Sequence, residues 1–318
     1  MKKVLAMAVA VFVLMAAGRA MAESFSFTTV NVPGSVWTGA YGINGSGEIA
    51  GYYSAPYPNG YSYAGGSFTT IDFPGADMNM TVAFGINDTG EITGFYVNSS
   101  GNERGFLYSG GAFSSFNYPN AYYTWGTGIN GSGTIVGNLD DGRTQHGFLY
   151  SGGVFTGIDV PGAVGTDSWG INGAGDVVGD YYDSSRIHGF IYEGGSFQSF
   201  DFPGAAATYA YGINDNGDIV GTYTDNSGVY HGFLDVNGSF SSINDPLAQT
   251  TGFNKGTNAF GINDEGKITG WYYDATGNAH GFEAAADSVP EPPTLLLLGL
   301  GLTGLAAWGV VRAKSRRV

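Results

Sequence analysis

Apolar and polar residues alternate in short runs through residues 23–284, and turns containing Gly, Asn or Asp separate the runs. Residues 188–201, HGFIYEGGSFQSFD, are representative: two runs of alternating aromatic and small residues flank Gly194-Gly195. Such alternation is typical of strands, and a two-residue Gly-Gly loop favours the turns that join a β-hairpin. The pattern therefore predicts an all-β body built from hairpins.

The hairpin pattern recurs with a long period. Each copy has four strand-like pieces in fixed order. The first is a run that ends in Gly-Ile-Asn (GIN), and xIxGxY, HGFLY and xFxxxDxPG follow. The triplet starts at Gly42, Gly85, Gly128, Gly170, Gly212 and Gly261. Four short strands in about 42 residues is the size of one propeller blade.

The two ends of the array lack complementary pieces. Residues 26–34 form a fourth piece that precedes the first GIN, and the sixth copy lacks a fourth piece after its HGF at 280–282. Pairing these ends would remove open sheet edges, which promote aggregation. The sequence predicts an all-β, six-bladed β-propeller over residues 23–284 that the N-terminal strand closes. A β-solenoid or a β-prism is the alternative.

The hairpin register predicts polar pairs across the third and fourth strands. Residues 13 positions apart should face each other where side chains approach most closely. The same offset places a polar residue opposite Asp72 and Asn117, namely Asn59 and Arg104. The histidine pairs are His146 with Asp159, His188 with Asp201, His231 with Asn244 and, across the closure, His280 with Asn31.

These pairs have a structural and a functional interpretation. As ties between strands they would stabilise each hairpin, and they are similar to the buried His–Asp pairing of WD-repeat propellers. A ring of His and Asp could instead bind a cation or support catalysis. Likewise the Asn-Asp-x-Gly segments, such as 214–217, could bind Ca²⁺, but turn chemistry alone explains their composition. We expect no metal, no cofactor and no catalytic residue.

Charge limits the partners. The chain has no Cys, and residues 23–291 hold 27 acidic against five basic residues, a formal charge of −22. Such a surface should repel nucleic acid and anionic lipid headgroups and could attract cations. We therefore expect no nucleic-acid partner.

The two termini predict export. Residues 1–22 have a basic start, an apolar run and Ala20-Met21-Ala22, typical of a signal peptide, with a short membrane anchor as the alternative. After a linker at 285–293, residues 294–312 predict a transmembrane helix. Its charge-free run is short for a span. The basic tail 313–318 should stay cytoplasmic.

The C-terminus resembles the PEP-CTERM sorting signal of Gram-negative bacteria. The matching features are Val289-Pro290-Glu291-Pro292, the apolar span and the Arg-rich end. This resemblance implies recognition by an exosortase, cleavage near the motif and delivery from an inner-membrane intermediate to the cell surface or extracellular matrix. An ordinary single-pass anchor is the alternative.

The repeats resemble the probable extracellular repeats called HAF, through GIN-x-x-G-x-[IV]-x-G and H-G-F-[LI]-Y. The Ala of the family name is replaced by Gly at 147, 189, 232 and 281. Asn59 and Arg104 also replace His in the first two copies. The family implies no enzymatic activity.

Two function classes remain after these arguments. The leading hypothesis is a non-enzymatic surface protein that contributes to a matrix or binds an extracellular polysaccharide. The rival is an extracellular carbohydrate-active hydrolase. We expect no Asp/Glu pair to break the six-fold pattern, which argues against two-carboxylate catalysis. Aromatic residues at second-strand tips could bind sugar or pack between blades. Candidate ligand contacts are Asp183, Asp225, Phe253, Lys255 and Trp271.

Overall fold

The computed structural model describes residues 24–252 and 255–287. Of these, residues 24–252 and 255–286 belong to one compact body. The predicted signal peptide, Phe253, the motif at 289–292 and the predicted transmembrane helix lie outside the described residues. Within the described ranges, no helix has the length and apolar character needed to cross a membrane.

The described chain contains 24 β-strands and one 3₁₀ helix, Asp77–Asn79. Consecutive strands form antiparallel four-stranded meanders, which we call units. Unit 1 comprises β2 (Trp37–Ile43), β3 (Ile49–Ser54), β4 (Pro58–Ala64) and β5 (Ser67–Ile71). Unit 2 comprises β6 (Thr81–Ile86), β7 (Ile92–Val97), β8 (Glu103–Ser109) and β9 (Ala112–Phe116). Unit 3 comprises β10 (Tyr123–Ile129), β11 (Ile135–Asp140), β12 (Gln145–Ser151) and β13 (Val154–Ile158).

The remaining units follow the same order. Unit 4 comprises β14 (Gly165–Ile171), β15 (Val177–Tyr182), β16 (Ile187–Glu193) and β17 (Ser196–Phe200). Unit 5 comprises β18 (Ala207–Ile213), β19 (Ile219–Thr224), β20 (Tyr230–Val236) and β21 (Ser239–Ile243). Unit 6 comprises β22 (Thr257–Ile262), β23 (Ile268–Tyr273), β24 (Ala279–Ala286) and the N-terminal strand β1 (Phe25–Val30).

Strand β1 is the fourth strand of unit 6. It pairs antiparallel with β24 over its whole length, from Phe25 opposite Ala286 to Val30 opposite Gly281. The Phe27 ring also packs edge-on against Phe282, at a centroid distance of 5.3 Å. The N-terminal strand thus occupies the position that the sixth repeat leaves open.

The hairpins have the predicted register. Glu193 lies opposite Ser196 and Tyr192 opposite Phe197. Gly194 and Gly195 both have positive φ, 56° and 84°, the conformation that a two-residue turn requires and that glycine adopts at little cost. The hairpin prediction is confirmed.

Each unit is packed around an aromatic ring from its third strand. Phe106, Phe148, Phe190, Phe233 and Phe282 are fully buried, and Tyr61 takes this place in unit 1. Each ring lies on the glycine of the xIxG piece; a Cβ at Gly179, for example, would lie 2.7 Å from the Phe190 ring. That glycine is therefore required for close packing within the unit.

A buried threonine joins each unit to the next. It lies four residues before the GIN glycine, and its hydroxyl accepts a backbone N–H from the connection that follows the preceding fourth strand. Val160 N donates to Thr166 Oγ1 at 3.0 Å, and Phe202 N donates to Thr208 Oγ1 at 3.0 Å. First strands contact first strands from unit to unit, and β22 contacts β2.

Candidate functional site

Six asparagines form a hydrogen-bonded ring at the end of the axis where the GIN turns lie. Each Nδ2 donates to the backbone oxygen of the next GIN asparagine. The distances are 3.2 Å for Asn44 to Asn87, 3.0 Å for Asn87 to Asn130, 3.1 Å for Asn130 to Asn172, 3.4 Å for Asn172 to Asn214, 3.1 Å for Asn214 to Asn263 and 3.1 Å for Asn263 to Asn44. We call this set the asparagine ring. It borders a cavity of about 150 Å³.

The same asparagines also build their own turns. Asn44 Oδ1 accepts the backbone N–H groups of Ser46 and Glu48, at 3.1 and 2.9 Å. Every side chain of the ring is thus engaged in its own turn and in the neighbouring unit. The GIN glycine allows neighbouring units to approach closely, because a Cβ at Gly42 would lie only 2.6 Å from Phe84 O of the next unit. The triplet is structural.

An aromatic plug fills the middle of the axis. It consists of the residues immediately before each GIN, namely Tyr41, Phe84, Thr127, Trp169, Tyr211 and Phe260. Successive rings are in contact: Tyr41 and Phe260 lie 4.6 Å apart, and Tyr211 and Phe260 are stacked at 4.1 Å. The plug borders a cavity of about 90 Å³.

Beyond the plug, the units differ from one another. Residues three positions before each GIN glycine face a partner on the second strand, and together they define the crater at the end opposite the asparagine ring. The pairs are Gly39–Tyr52, Val82–Phe95, Trp125–Asn138, Asp167–Asp180, Tyr209–Thr222 and Asn258–Trp271. Trp37, Tyr123, Tyr230 and Tyr273 extend it.

One side of the crater is aromatic. Trp37 stacks on Tyr52 with a centroid distance of 4.3 Å and lies 5.9 Å from Trp271. Trp125 stacks on Phe95 at 4.8 Å and on Tyr123 at 4.5 Å. The four tryptophans of the described residues all lie in the crater or the plug, and each remains partly exposed. Rings that are partly open to solvent can cover the apolar face of a ligand.

The other side carries two carboxylates. Asp167 and Asp180 are directly opposite each other on β14 and β15. Trp169 Nε1 donates to Asp180 Oδ1 at 2.9 Å. Burial, aided by the neighbouring Asp167, raises the pKa of Asp180, and burial raises the pKa of Asp167 to about 6. The prediction that no acidic pair breaks the six-fold pattern is wrong, because side chains around an axis need not be equivalent where they do not pack between units.

The crater also has two donors without a partner. Asn258 Nδ2 and Trp271 Nε1 are buried and donate to no acceptor among the described residues. Asn258 lies two residues before Phe260 of the plug, and Asn258 is only 4% exposed. Buried donors are normally satisfied, so these two have an unmet requirement for an acceptor from outside the described residues.

The predicted histidine pairs lie at hydrogen-bond distance outside the crater. His188 Nδ1 is 3.1 Å from Asp201 Oδ1, and His146 Nδ1 is 3.1 Å from Asp159 Oδ1. His231 Nδ1 is 2.7 Å from Asn244 Oδ1, and His280 Nδ1 is 2.6 Å from Asn31 Nδ2. Sequence reasoning missed the second partner: each Nε2 approaches an aspartate of the preceding loop, Asp141, Asp183, Asp225 or Asp274.

The first two units do not follow the pairing rule. Asn59 Nδ2 donates to Tyr57 O instead of Asp72, because the asparagine side chain is shorter than histidine's. Arg104 Nη1 donates to the carbonyls of Glu103 and Tyr122, not to Asn117. Asp72 Oδ1 is left buried without a partner, and burial raises the pKa of Asp72. The prediction of a polar pair in every hairpin is wrong for these units.

Most candidate ligand contacts are engaged in their own loops. Ser185 donates to Asp183 through its hydroxyl and its N–H, which lowers the pKa of Asp183, and Asp225 has the same role with Val229 and Ser227. Lys255 Nζ donates to Ser227 O at 2.9 Å. Only Trp271 belongs to the crater. Within residues 24–252 and 255–287 no cluster of three His, Asp or Glu could hold a metal ion.

The arrangement of meanders around one axis decides the fold. It is all-β and propeller-like. Among solved structures, AofleA from Arthrobotrys oligospora is similar with a TM-score of 0.54 and 11% identity, over 85% of this chain and 91% of that one. TolB from Acinetobacter baumannii is similar with a TM-score of 0.53 and 11% identity, over 76% and 64%. The fucose-recognising lectin of Aleuria aurantia, a six-bladed β-propeller, has a TM-score of 0.46 and 14% identity, over 85% and 97%. These likenesses concern the fold alone.

Sequence comparisons bear on the C-terminus. A family model for the PEP-CTERM protein-sorting motif matches residues 288–313. The motif implies an exported protein that an exosortase-type sorting enzyme recognises. A comparison with curated proteins found no match.

Proposed function

We propose that the protein is an exported, surface-sorted β-propeller of six blades that binds glycan in the crater. The units are the blades, and β1 closes the last one. Closure is supported by the hydrogen bond from Asn263 to Asn44 and by the pairing of β1 with β24. A closed ring leaves fewer open sheet edges, which suits a protein that works outside the cell.

The chemistry of the crater carries the binding proposal. Flat rings at Trp37 and Trp271 can cover the C–H faces of a sugar, while carboxylates and the Asn258 amide can bind its hydroxyl groups. Sites for small ligands typically combine apolar walls with a few placed polar groups. The variation of side chains around the axis favours a single, asymmetric ligand over six equivalent ones.

A glycan-array scan of the purified protein tests this proposal, run with and without calcium. Trp37→Ala should remove binding because it opens one aromatic wall of the crater. Tyr57→Ala is the matched control, because Tyr57 is an exposed aromatic residue outside the crater. Melting temperatures should show that both variants are folded. Equal binding by Trp37→Ala and the unmodified protein would exclude the crater as the site.

The destination has its own test. We expect the signal peptide to export the chain, the predicted helix 294–312 to hold it briefly in the membrane, and cleavage near Pro290-Glu291-Pro292 to release it. The intact mass of surface-released protein, from a host with the sorting enzyme, should lack about the last 25 residues, the length from the motif to Val318. Recovery of only full-length chain in membranes would favour an ordinary anchor.

A second candidate, a carbohydrate-active hydrolase, is favoured by the Asp167–Asp180 pair. Two adjacent carboxyl groups with different environments can divide the roles of acid and base. To test this candidate, each glycan that binds the protein is incubated with it, and newly formed reducing ends are measured. If the unmodified protein produces reducing ends and Asp180→Asn does not, hydrolysis is assigned to the Asp167–Asp180 pair. If the glycans stay intact, the protein only binds them.

A further inference from the structure

The crater has negative groups and aromatic faces but no basic side chain. The five basic residues of the described chain are exposed or engaged elsewhere. Arg186 Nη2 is 2.6 Å from Asp201 Oδ2, and Lys267 Nζ lies 3.7 Å from Glu283 Oε1. Arg104 and Lys255 donate to backbone carbonyls, and Arg143 is exposed. Among the described residues, therefore, no positive charge compensates the acids of the crater.

The Asp167 carboxylate is open to a ligand. It is partly exposed, and no group among the described residues donates a hydrogen bond to it. Tyr123 and Tyr211 are the titratable groups near it besides Asp180, and Tyr209 also lies near Asp180. Asp180, beside Asp167, is buried and has no positive partner among the described residues. Such a carboxyl group is costly to ionise, so a cation next to the pair would relieve an unfavourable interaction.

The surrounding rings favour the same kind of ligand. The negative faces of aromatic rings attract cations, most strongly where water is excluded, and Trp is the most effective ring. A hydrated metal ion would need a group of oxygen ligands, and the described residues have no such group. An organic ammonium group suits aromatic walls and a carboxylate together. The free Asn258 Nδ2 and Trp271 Nε1 donors additionally suit ligand oxygens.

We infer that the crater receives an organic ammonium group, carried by an amino-sugar residue of the bound glycan. The ammonium lies against the Asp167–Asp180 pair and the tryptophan faces, and sugar oxygens accept from Asn258 and Trp271. This inference rests on the proposed glycan-binding function and specifies its ligand: a polysaccharide with free amino groups, as opposed to neutral or N-acetylated sugar.

Calorimetric titration can separate the inference from the proposed function. The ligands are a glucosamine oligosaccharide, its fully N-acetylated counterpart of equal length, and choline as an ammonium without sugar. The glucosamine form should bind about tenfold or more tightly than the acetylated form, the expected value of a desolvated cation–π contact. Asp167→Asn, which removes the carboxylate that ionises at the lower pH of the two, should remove that preference. Asp77→Asn, which neutralises an exposed acid outside the crater, should keep it.

The outcomes are distinct. Equal affinity for both oligosaccharides, unchanged in Asp167→Asn, would overturn the ammonium inference and leave glycan binding in place. Binding of choline without either oligosaccharide would support the ammonium site and overturn the glycan proposal. Binding of no ligand would overturn both. Asp167→Asn should fold, because it keeps the side-chain shape at a partly exposed position, and its melting temperature checks this.

Proton release provides a second readout. Near pH 6, where Asp167 titrates, a bound cation should expel the proton that the two carboxyl groups hold, and the buffer takes it up. Choline has no titrating proton, so any release comes from the protein. The heat of choline binding should therefore change with the ionisation enthalpy of the buffer, and this change should vanish in Asp167→Asn. Binding without proton release in the unmodified protein would place the cation elsewhere.

Discussion

The two ends of the axis are built by opposite rules. At the asparagine ring every unit contributes the same Gly-Ile-Asn, and each side chain bonds the neighbouring unit. In the crater the equivalent positions are Gly, Val, Trp, Asp, Tyr and Asn, although each lies on the first strand of its unit, three residues before the GIN glycine. The same residue type is required in every unit where a side chain must fit between two units. Positions that face the axis beyond the plug are free of that requirement and can serve a ligand.

The comparison also has an energetic side. Ring asparagines are buried and satisfied, which contributes to stability. The crater instead contains a carboxyl pair at raised pKa and two unpartnered donors. Local features that reduce stability, such as these in the crater, are expected at functional sites.

The largest effect should follow deletion of residues 24–30, which removes β1. Unit 6 would lose its fourth strand, and β24 would become an open edge. We expect a large fall in melting temperature and loss of monomeric protein, measured by calorimetry and size-exclusion chromatography. A truncated protein that melts like the intact one would contradict closure by β1.

Asn130→Ala should have the next largest effect. It removes the donor to Asn172 O and the acceptor for Ser132 and Thr134. The groups left unsatisfied should cost about 2–4 kcal/mol of unfolding free energy, measured by denaturant unfolding. Asn98→Ala is the control, because Asn98 forms a similar turn without bonding a neighbouring unit. Equal losses would show that the bonds between units contribute nothing.

His188→Ala should cost about 1–3 kcal/mol, since it leaves Asp201 without one partner. The Asp201 and Asp183 contacts lie outside the crater, so ligand affinity should remain unchanged. Arg104→Ala, at the equivalent position of unit 2, should cost less, because Arg104 bonds only carbonyls. Unchanged stability with lost binding would move the histidines into the binding site.

Asp167→Asn should have the smallest effect on stability and alter its pH dependence. Burial raises the pKa of Asp167 from 3.8 to about 6, so the folded state binds a proton more tightly than the unfolded state. This contribution is fully present below the unfolded pKa and is lost as the pH rises through the folded pKa. Stability should thus fall from about pH 4 to about pH 6 in the unmodified protein. Asp167→Asn should flatten this slope, and an unchanged slope in thermal melts would contradict the pKa shift.

Several features were predictable from local patterns. The Gly-Gly hairpins, the repeat unit and the placement of β1 follow from alternation, turn chemistry and the complementary chain ends. The crater was predictable in part: aligned on GIN, the column three residues before the glycine varies beside a column that is always threonine. That contrast marks the position, but the sequence reading assigned the second-strand aromatics to strand tips.

The sequence by itself determined the strands and the pairing of consecutive strands, because these depend on residues fewer than about 20 positions apart and on turn geometry. Only the tertiary structure decided which side chains meet around the axis. The GIN asparagine is a turn residue in its own repeat, and its bond to the backbone oxygen of the next GIN asparagine forms only when the next unit is placed beside it. Asp167 and Trp271 are more than a hundred positions apart and belong to one crater because the units surround a common axis. Contacts of that kind depend on the angle and distance between units, which no local pattern encodes.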